Sequence, residues 1–309
     1  MKNLKQWMAG CLGLVVMLGP AAADEVTKVF ILAGQSNMEG KGVVSMNGER
    51  GYNGGKGNLV WSMEQSESKD KMKHLRDGDG KWVERADVKI SYKVGDKVRK
   101  GPLTVGYTNF GRQSHIGPEL QFGHVMGDFF EEPVLLIKTA WGGKSLYQDF
   151  RPPSSGGTTG PYYQQMLAEV EEALAKLPKG SYELAGFVWM QGWNDMISKE
   201  ATAEYAGNLV NLASDLRKDL GVADLPIVIG ELGNGGETKD GSGMDKFRKA
   251  QKEGASRLKN AVFVETRQFA RPAKLSPNTG HGHHWFGNAE SYFLVGDALG
   301  RGMVELLKE

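Results

Sequence analysis

The chain has 309 residues, enough to bury a sizeable core as one large domain or two modest ones. A formal net charge of +1 gives no general attraction to nucleic acid or to an anionic membrane. One cysteine excludes an intrachain disulfide, and 43 glycines, many of them clustered, favour long shaped loops over a plain helix bundle.

The first 23 residues read as a secretory signal peptide. Lys2 and Lys5 make a short basic start, residues 8–18 are apolar, and Gly19-Pro20-Ala21-Ala22-Ala23 supplies small residues for cleavage after Ala23. The apolar run is too short to span a bilayer, and Cys11 sits too near its start for a lipoprotein site. The expected mature unit, 24–309, then has no membrane anchor and no cysteine, which fits a periplasmic or secreted protein. Val29-Phe30-Ile31-Leu32 is a buried strand that breaks off at Gly34-Gln35-Ser36-Asn37-Met38-Glu39-Gly40. Glycines on either side let the backbone bend and present the Ser36 hydroxyl, as a nucleophile requires. The same turn also suits a serine that merely caps a helix.

Asn58-Leu59-Val60-Trp61 reads as a short second strand. From about 63 to 114 the chain turns polar and lysine-rich with a period of two, so it is expected to be a β-rich surface insertion of hairpins that rims a site. Asp77-Gly78-Asp79-Gly80 is its turn, because the ligand pattern of a calcium loop does not continue. Gly117-Pro118-Glu119 opens a helix. Val134-Leu135-Leu136-Ile137 is a strand buried on both faces. It ends at Trp141-Gly142-Gly143-Lys144. A helix over 162–177 and a strand over 185–190 follow, the strand ending at Gln191-Gly192-Trp193-Asn194-Asp195. Helix 201–220, strand 226–230, helix 244–258, strand 261–264 and helix 289–307 complete the chain.

Strands alternating with helices predict an α/β fold with a mainly parallel sheet covered on both faces. In such sheets ligands bind beyond the carboxyl ends of the strands. Ser36, Gly142-Gly143 and the 191–195 cluster all fall there. A serine esterase also needs a base and donors for an oxyanion. Three of the six histidines crowd into His281-Gly282-His283-His284, just before the last helix. That cluster is adjacent in a loop, with no completing carboxylate, so no metal site is expected. Backbone N–H groups at Gly142 or Gly143 and the Asn194 amide suit the oxyanion. Asn194 equally suits a turn, and Trp141 and Trp193 suit either the core or a sugar ring.

Gly34-Gln35-Ser36-Asn37, Gly142-Gly143, Gln191-Gly192-Trp193-Asn194-Asp195 and His284, in this order, resemble the SGNH hydrolase superfamily. The Gly-Gln-Ser-Asn opening is similar to its sialate O-acetylesterases and family 6 carbohydrate esterases. The resemblance implies a three-layer α/β/α, flavodoxin-like fold, no cofactor, and an O-acetylated sugar as substrate. It makes Ser36 the nucleophile, His284 the base, and Ser36 N–H, Gly143 and Asn194 the oxyanion donors. Gln35, Asn37, Gly142, Lys144, Gln191 and Trp193 are then the expected substrate contacts. Many relatives carry an aspartate three residues before the histidine, where this chain has His281. Either a carboxylate from elsewhere orients His284, with Glu119 and Asp195 as candidates, or a backbone carbonyl does, or the catalytic set is a dyad. That departure also admits a rival, a carbohydrate-binding protein on a decayed esterase scaffold. A third reading keeps the hydrolase and changes the ester.

Overall fold

A computed structural model describes residues 26–48, 51–109 and 114–308. The expected signal peptide, cleavage site and Cys11 lie outside the described residues. The chain opens with β1 (Thr27–Gly34), a four-residue helix α1 (Ser36–Glu39) and a short strand β2 (Gly42–Val43). Helix α2 (Leu59–Gln65), the hairpin β3 (Arg85–Val94) and β4 (Lys97–Leu103), and β5 (His115–Ile116) follow. The middle of the chain is α3 (Glu119–Phe129), β6 (Val134–Ala140), α4 (Pro161–Leu174) and β7 (Tyr182–Met190). It closes with α5 (Trp193–Met196), α6 (Lys199–Asp219), β8 (Ile227–Gly230), α7 (Gly243–Ser256), β9 (Ala261–Val264) and α8 (Ala289–Lys308).

Seven strands form one sheet in the order β4-β3-β6-β1-β7-β8-β9, parallel except where β4 returns antiparallel on β3. Side chains alternate across a strand, and β1 shows what that does. Phe30 and Leu32 enter one core, against Phe122 of α3 and Phe293 and Leu299 of α8. Val29, Ile31 and Ala33 enter the other, against Met166 of α4, Leu212 of α6 and Phe247 of α7. Helices thus cover both faces, as the continuous apolar strands require. Each fully buried Phe or Leu contributes roughly 1.5–3 kcal/mol, so β1 ties two cores together. The chain leaves β1 towards β3 and β6 on one side and returns through β7, β8 and β9 on the other. The reversal puts the carboxyl end of β1 at a topological switch point, the place where open α/β sheets bind ligands.

Two expectations need correction. Leu59-Val60-Trp61 is helical, because Asn58 caps it by accepting the Trp61 N–H at 2.8 Å. The 85–103 hairpin is more than a surface addition. Its first strand pairs in parallel with β6, Val88 opposite Val134, and buries Val88, Ile90 and Tyr92. Asp77 does make a turn, its carboxylate accepting the N–H groups of Asp79 and Lys81 at 3.0 and 2.8 Å.

Candidate active site

Gly34 ends β1 at φ 152°, and a Cβ there would lie 2.1 Å from the Met190 carbonyl oxygen. Only glycine lets β1 and β7 approach so closely just before Ser36. The turn is fixed by its neighbours: Gln35 N–H donates to Met190 O at 3.2 Å, and Trp141 N–H to Gly34 O at 3.1 Å. Ser36 begins α1 and is buried. Below it, the buried Lys138 ammonium donates to the carbonyls of Glu39 and Tyr107 and to the Glu119 carboxylate, each at 2.8 Å. The last residue of the short helix that Ser36 begins is thereby tied to β6.

The loops after β6 and β7 close around Ser36. A Cβ on Gly142 would stand 3.7 Å from Ser36 Cβ and 3.2 Å from a Glu39 carboxylate oxygen. Gly143 is left-handed at φ 73° with open space where a Cβ would project. Its carbonyl accepts from Asn194 Nδ2 at 2.9 Å. Gln35 bridges the same loops, accepting Gly192 N–H at 3.0 Å and donating to Asn194 Oδ1 at 3.4 Å. Gly143, Asn194 and Gln35, the residue before Ser36, are therefore linked by hydrogen bonds, with Gly142 beside Ser36.

The other expected residues fall in different places. Gln191 is buried, donating to Lys144 O at 3.0 Å and accepting from the Tyr205 hydroxyl at 3.0 Å. Asn37 is also buried, bonded to Asn234, His283 and Tyr292. Lys144 lies 4.3 Å above the Tyr162 ring and 3.4 Å from Asp149, at the rim. Trp193 is part-exposed, its ring 5.6 Å from that of His283. These last two are open to a ligand; Gln35, Asn37 and Gln191 use their amides inside the protein.

The histidine ring centroids cluster at 4.1 Å for His283–His284 and 6.2 Å for His281–His284. Burial, with the positive charge of His283, Lys41 and His281 nearby, pushes His284 down to about 3. Its ring is neutral at ordinary pH, the form that accepts a proton. Among the described residues no His/Cys/Asp/Glu group is arranged to hold a metal ion.

Glu119 and Asp195 are both occupied elsewhere. Glu119 accepts Gly117 N–H at 2.9 Å and pairs with Lys138. Asp195 accepts the N–H groups of Leu146 and Tyr147 at 2.9 and 2.8 Å, and the Gln191 amide. Burial pushes its carboxyl up to about 6, while those three donors pull it down. Neither carboxylate hydrogen-bonds to the His284 ring. His281 Nδ1 pairs with the Asn278 amide at 2.9 Å. Sequence reasoning missed Lys138, Asn234 and Tyr292. Only Lys138 left a local trace, as a charge inside an apolar strand.

The model of a family described as carbohydrate esterase, sialic acid-specific acetylesterase, matches residues 26–304. A probable carbohydrate esterase of Arabidopsis thaliana is 26% identical over 247 residues, 78% of this chain and 79% of its own length. The solved structure of that plant protein superposes with a TM-score of 0.58 at 19% identity, over 91% of this chain and 98% of the plant one. NanS gives a TM-score of 0.57 at 15% identity, over 92% of this chain and 98% of NanS. A carbohydrate acetylesterase from Xanthomonas citri gives 0.54 at 15% identity, covering 89% of this chain and 56% of that one.

Proposed function

Because the chain belongs to the sialic acid-specific acetylesterase family of carbohydrate esterases, we propose that it is a serine esterase that removes O-acetyl groups from a carbohydrate through an acetyl-enzyme. Ser36 Oγ attacks the acetyl carbonyl while His284 takes its proton. The oxyanion that forms is held by the N–H groups of Ser36 and Gly143 and by the Asn194 amide. The tetrahedral species expels the sugar oxygen, which takes the proton back from His284. Water, deprotonated by His284, then attacks the acetyl-serine and releases acetate and Ser36. No cofactor enters this scheme. The sugar ring lies against Trp193, whose part-exposed face suits stacking.

One observation carries the reading. Three loops from three separate strands converge on Ser36, with Asn194 Nδ2 bonded 2.9 Å from the Gly143 carbonyl and Gly142 against Ser36 Cβ. Donors fixed in advance at the point where charge develops are what acyl transfer needs. The N-terminal segment supports export to the periplasm or medium as part of the same proposal.

Ser36→Ala, assayed on p-nitrophenyl acetate and on O-acetylated sugars, is the direct test. Turnover should fall to background, and a fluorophosphonate should label Ser36 in the unaltered protein and nothing in the variant. Undiminished turnover would sink the proposal.

A further inference from the structure

The strand-free stretch 278–288 carries His284. Within it, Trp285 and Phe286 both stand at positive φ, 52° and 54°. Bulky side chains avoid that region, so the surroundings must hold the backbone there. Three side chains from distant elements do so. The His283 carbonyl accepts from Asn37 Nδ2 at 3.1 Å and from Asn234 Nδ2 at 3.0 Å. The two amides also face each other, Asn37 Nδ2 to Asn234 Oδ1 at 3.2 Å. From α8, the Tyr292 hydroxyl donates to Asn37 Oδ1 at 2.8 Å and lies 3.4 Å from the His284 carbonyl.

Asn234 is itself rigidly mounted. Arg248 of α7 donates to the carbonyls of Leu232, Asn234 and Gly236 at 2.7, 3.1 and 2.8 Å. Gln251 Oε1 accepts the Leu232 N–H at 2.9 Å. Asn234 is buried, so its amide is not shared with water. A loop with no sheet partner is thus pinned at one carbonyl by two fixed donors, one residue before His284.

We infer that Asn234, with Asn37 and Tyr292 behind it, is the positioning residue of His284 and acts on it through the main chain rather than through the ring. Asn234 bonds to Asn37 and to the His283 carbonyl, not to the side chain of Ser36 or His284. It fixes the backbone that carries the imidazole, and an error of about 1 Å in the placing of a catalytic group costs on the order of 100-fold in rate. Asn37 joins the two ends of the site, since it follows Ser36 in the chain and holds His283.

This inference rests on the serine-esterase reading, and the experiment separates the two. Asn234→Ala, Asn234→Asp and Tyr292→Phe are compared with the unaltered protein and Ser36→Ala on p-nitrophenyl acetate, with melting followed in parallel. Both Asn234 variants should lose roughly 10- to 100-fold in kcat with KM within about threefold. The acidic limb of kcat/KM should move up towards pH 6.5, because a loosened His284 ring regains water. Tyr292→Phe should lose about three- to tenfold in kcat with the limb moved the same way, and it decides the matter if the Asn234 variants do not fold: a folded Tyr292→Phe with unchanged kcat and limb overturns the positioning role. Folded variants with unchanged kcat and an unmoved limb, beside an inactive Ser36→Ala, overturn the positioning role alone. An active Ser36→Ala overturns both.

Discussion

Lys138→Met removes an ammonium that links β6 to the turn at Ser36. Lys138 is 1% exposed, and its partners are the Glu119 carboxylate and the carbonyls of Glu39 and Tyr107, all at 2.8 Å. Burial drives the lysine's pKa down, while the Coulombic pull of Glu119 and Glu39 opposes it. Methionine fills nearly the same space, so no large cavity forms. What remains is a carboxylate 1% exposed that has lost its ammonium and keeps the Gly117 N–H. Breaking a buried pair from one side costs about 3–5 kcal/mol, a large part of the 5–15 kcal/mol that a typical domain has. Adding Glu119→Gln removes the stranded charge, and the double variant should recover about 2 kcal/mol or more over Lys138→Met. Urea melts of both singles and the double, compared at equal m-value, measure the coupling. A loss below about 1 kcal/mol for Lys138→Met, or a double variant no better than the sum of the singles, would refute the reasoning.

Two further outcomes are expected. Asn194→Ala should lower kcat for acetyl esters by about 10²- to 10³-fold with little change in KM, as expected for a donor used mainly in the transition state; steady-state kinetics on p-nitrophenyl acetate check it. His124 is buried against the His74 ring at 4.6 Å, and burial, His74 and Arg85 push it down to about 4 against the pull of Asp128 and Asp87. The unfolded chain takes up that proton near pH 6.5 and the folded one only near 4, so the unfolded state holds more protons between them and stability falls as pH drops through the window. His124→Gln should therefore lose about 2 kcal/mol less than the unaltered protein between pH 7 and pH 5, read from denaturant melts at the two pH values.

The sheet was legible because its strands are short apolar runs separated by helices of helical period. Val134-Leu135-Leu136-Ile137 admits little but a doubly covered strand. Leu59-Val60-Trp61 was misread because three apolar residues look alike in either state, and the deciding signal was the cap, Asn58. The partner of β3 was not legible at all. Its pairing with β6 depends on a register set across more than forty residues, and alternation alone fits a surface hairpin equally well. The candidate site divides the same way. Ser36, Gly143 and Asn194 stand at strand ends, where local pattern and topology agree. The support of His284 does not. Asn37 meets Asn234 across 197 positions and Tyr292 across 255. Asn234 is remote from His284 in sequence, and Tyr292, eight residues on, reads as one more apolar residue of the last helix, so attention to Glu119 and Asp195 found two carboxylates already engaged in holding loops and strands.

Strand β4 lies at one margin of the seven-stranded sheet and β9 at the other. A free margin is a template on which a second copy of the chain adds its own strand, the first step of aggregation. The two margins deter this differently. Along β4, Lys97, Arg99 and Lys100 would face the same cations on an incoming copy, and Pro102 offers no N–H for a ladder. At β9 the margin is only four residues long and packs against α7 and α8. The cations of β4 thus have a use apart from any substrate: they oppose strand addition at this border of the sheet.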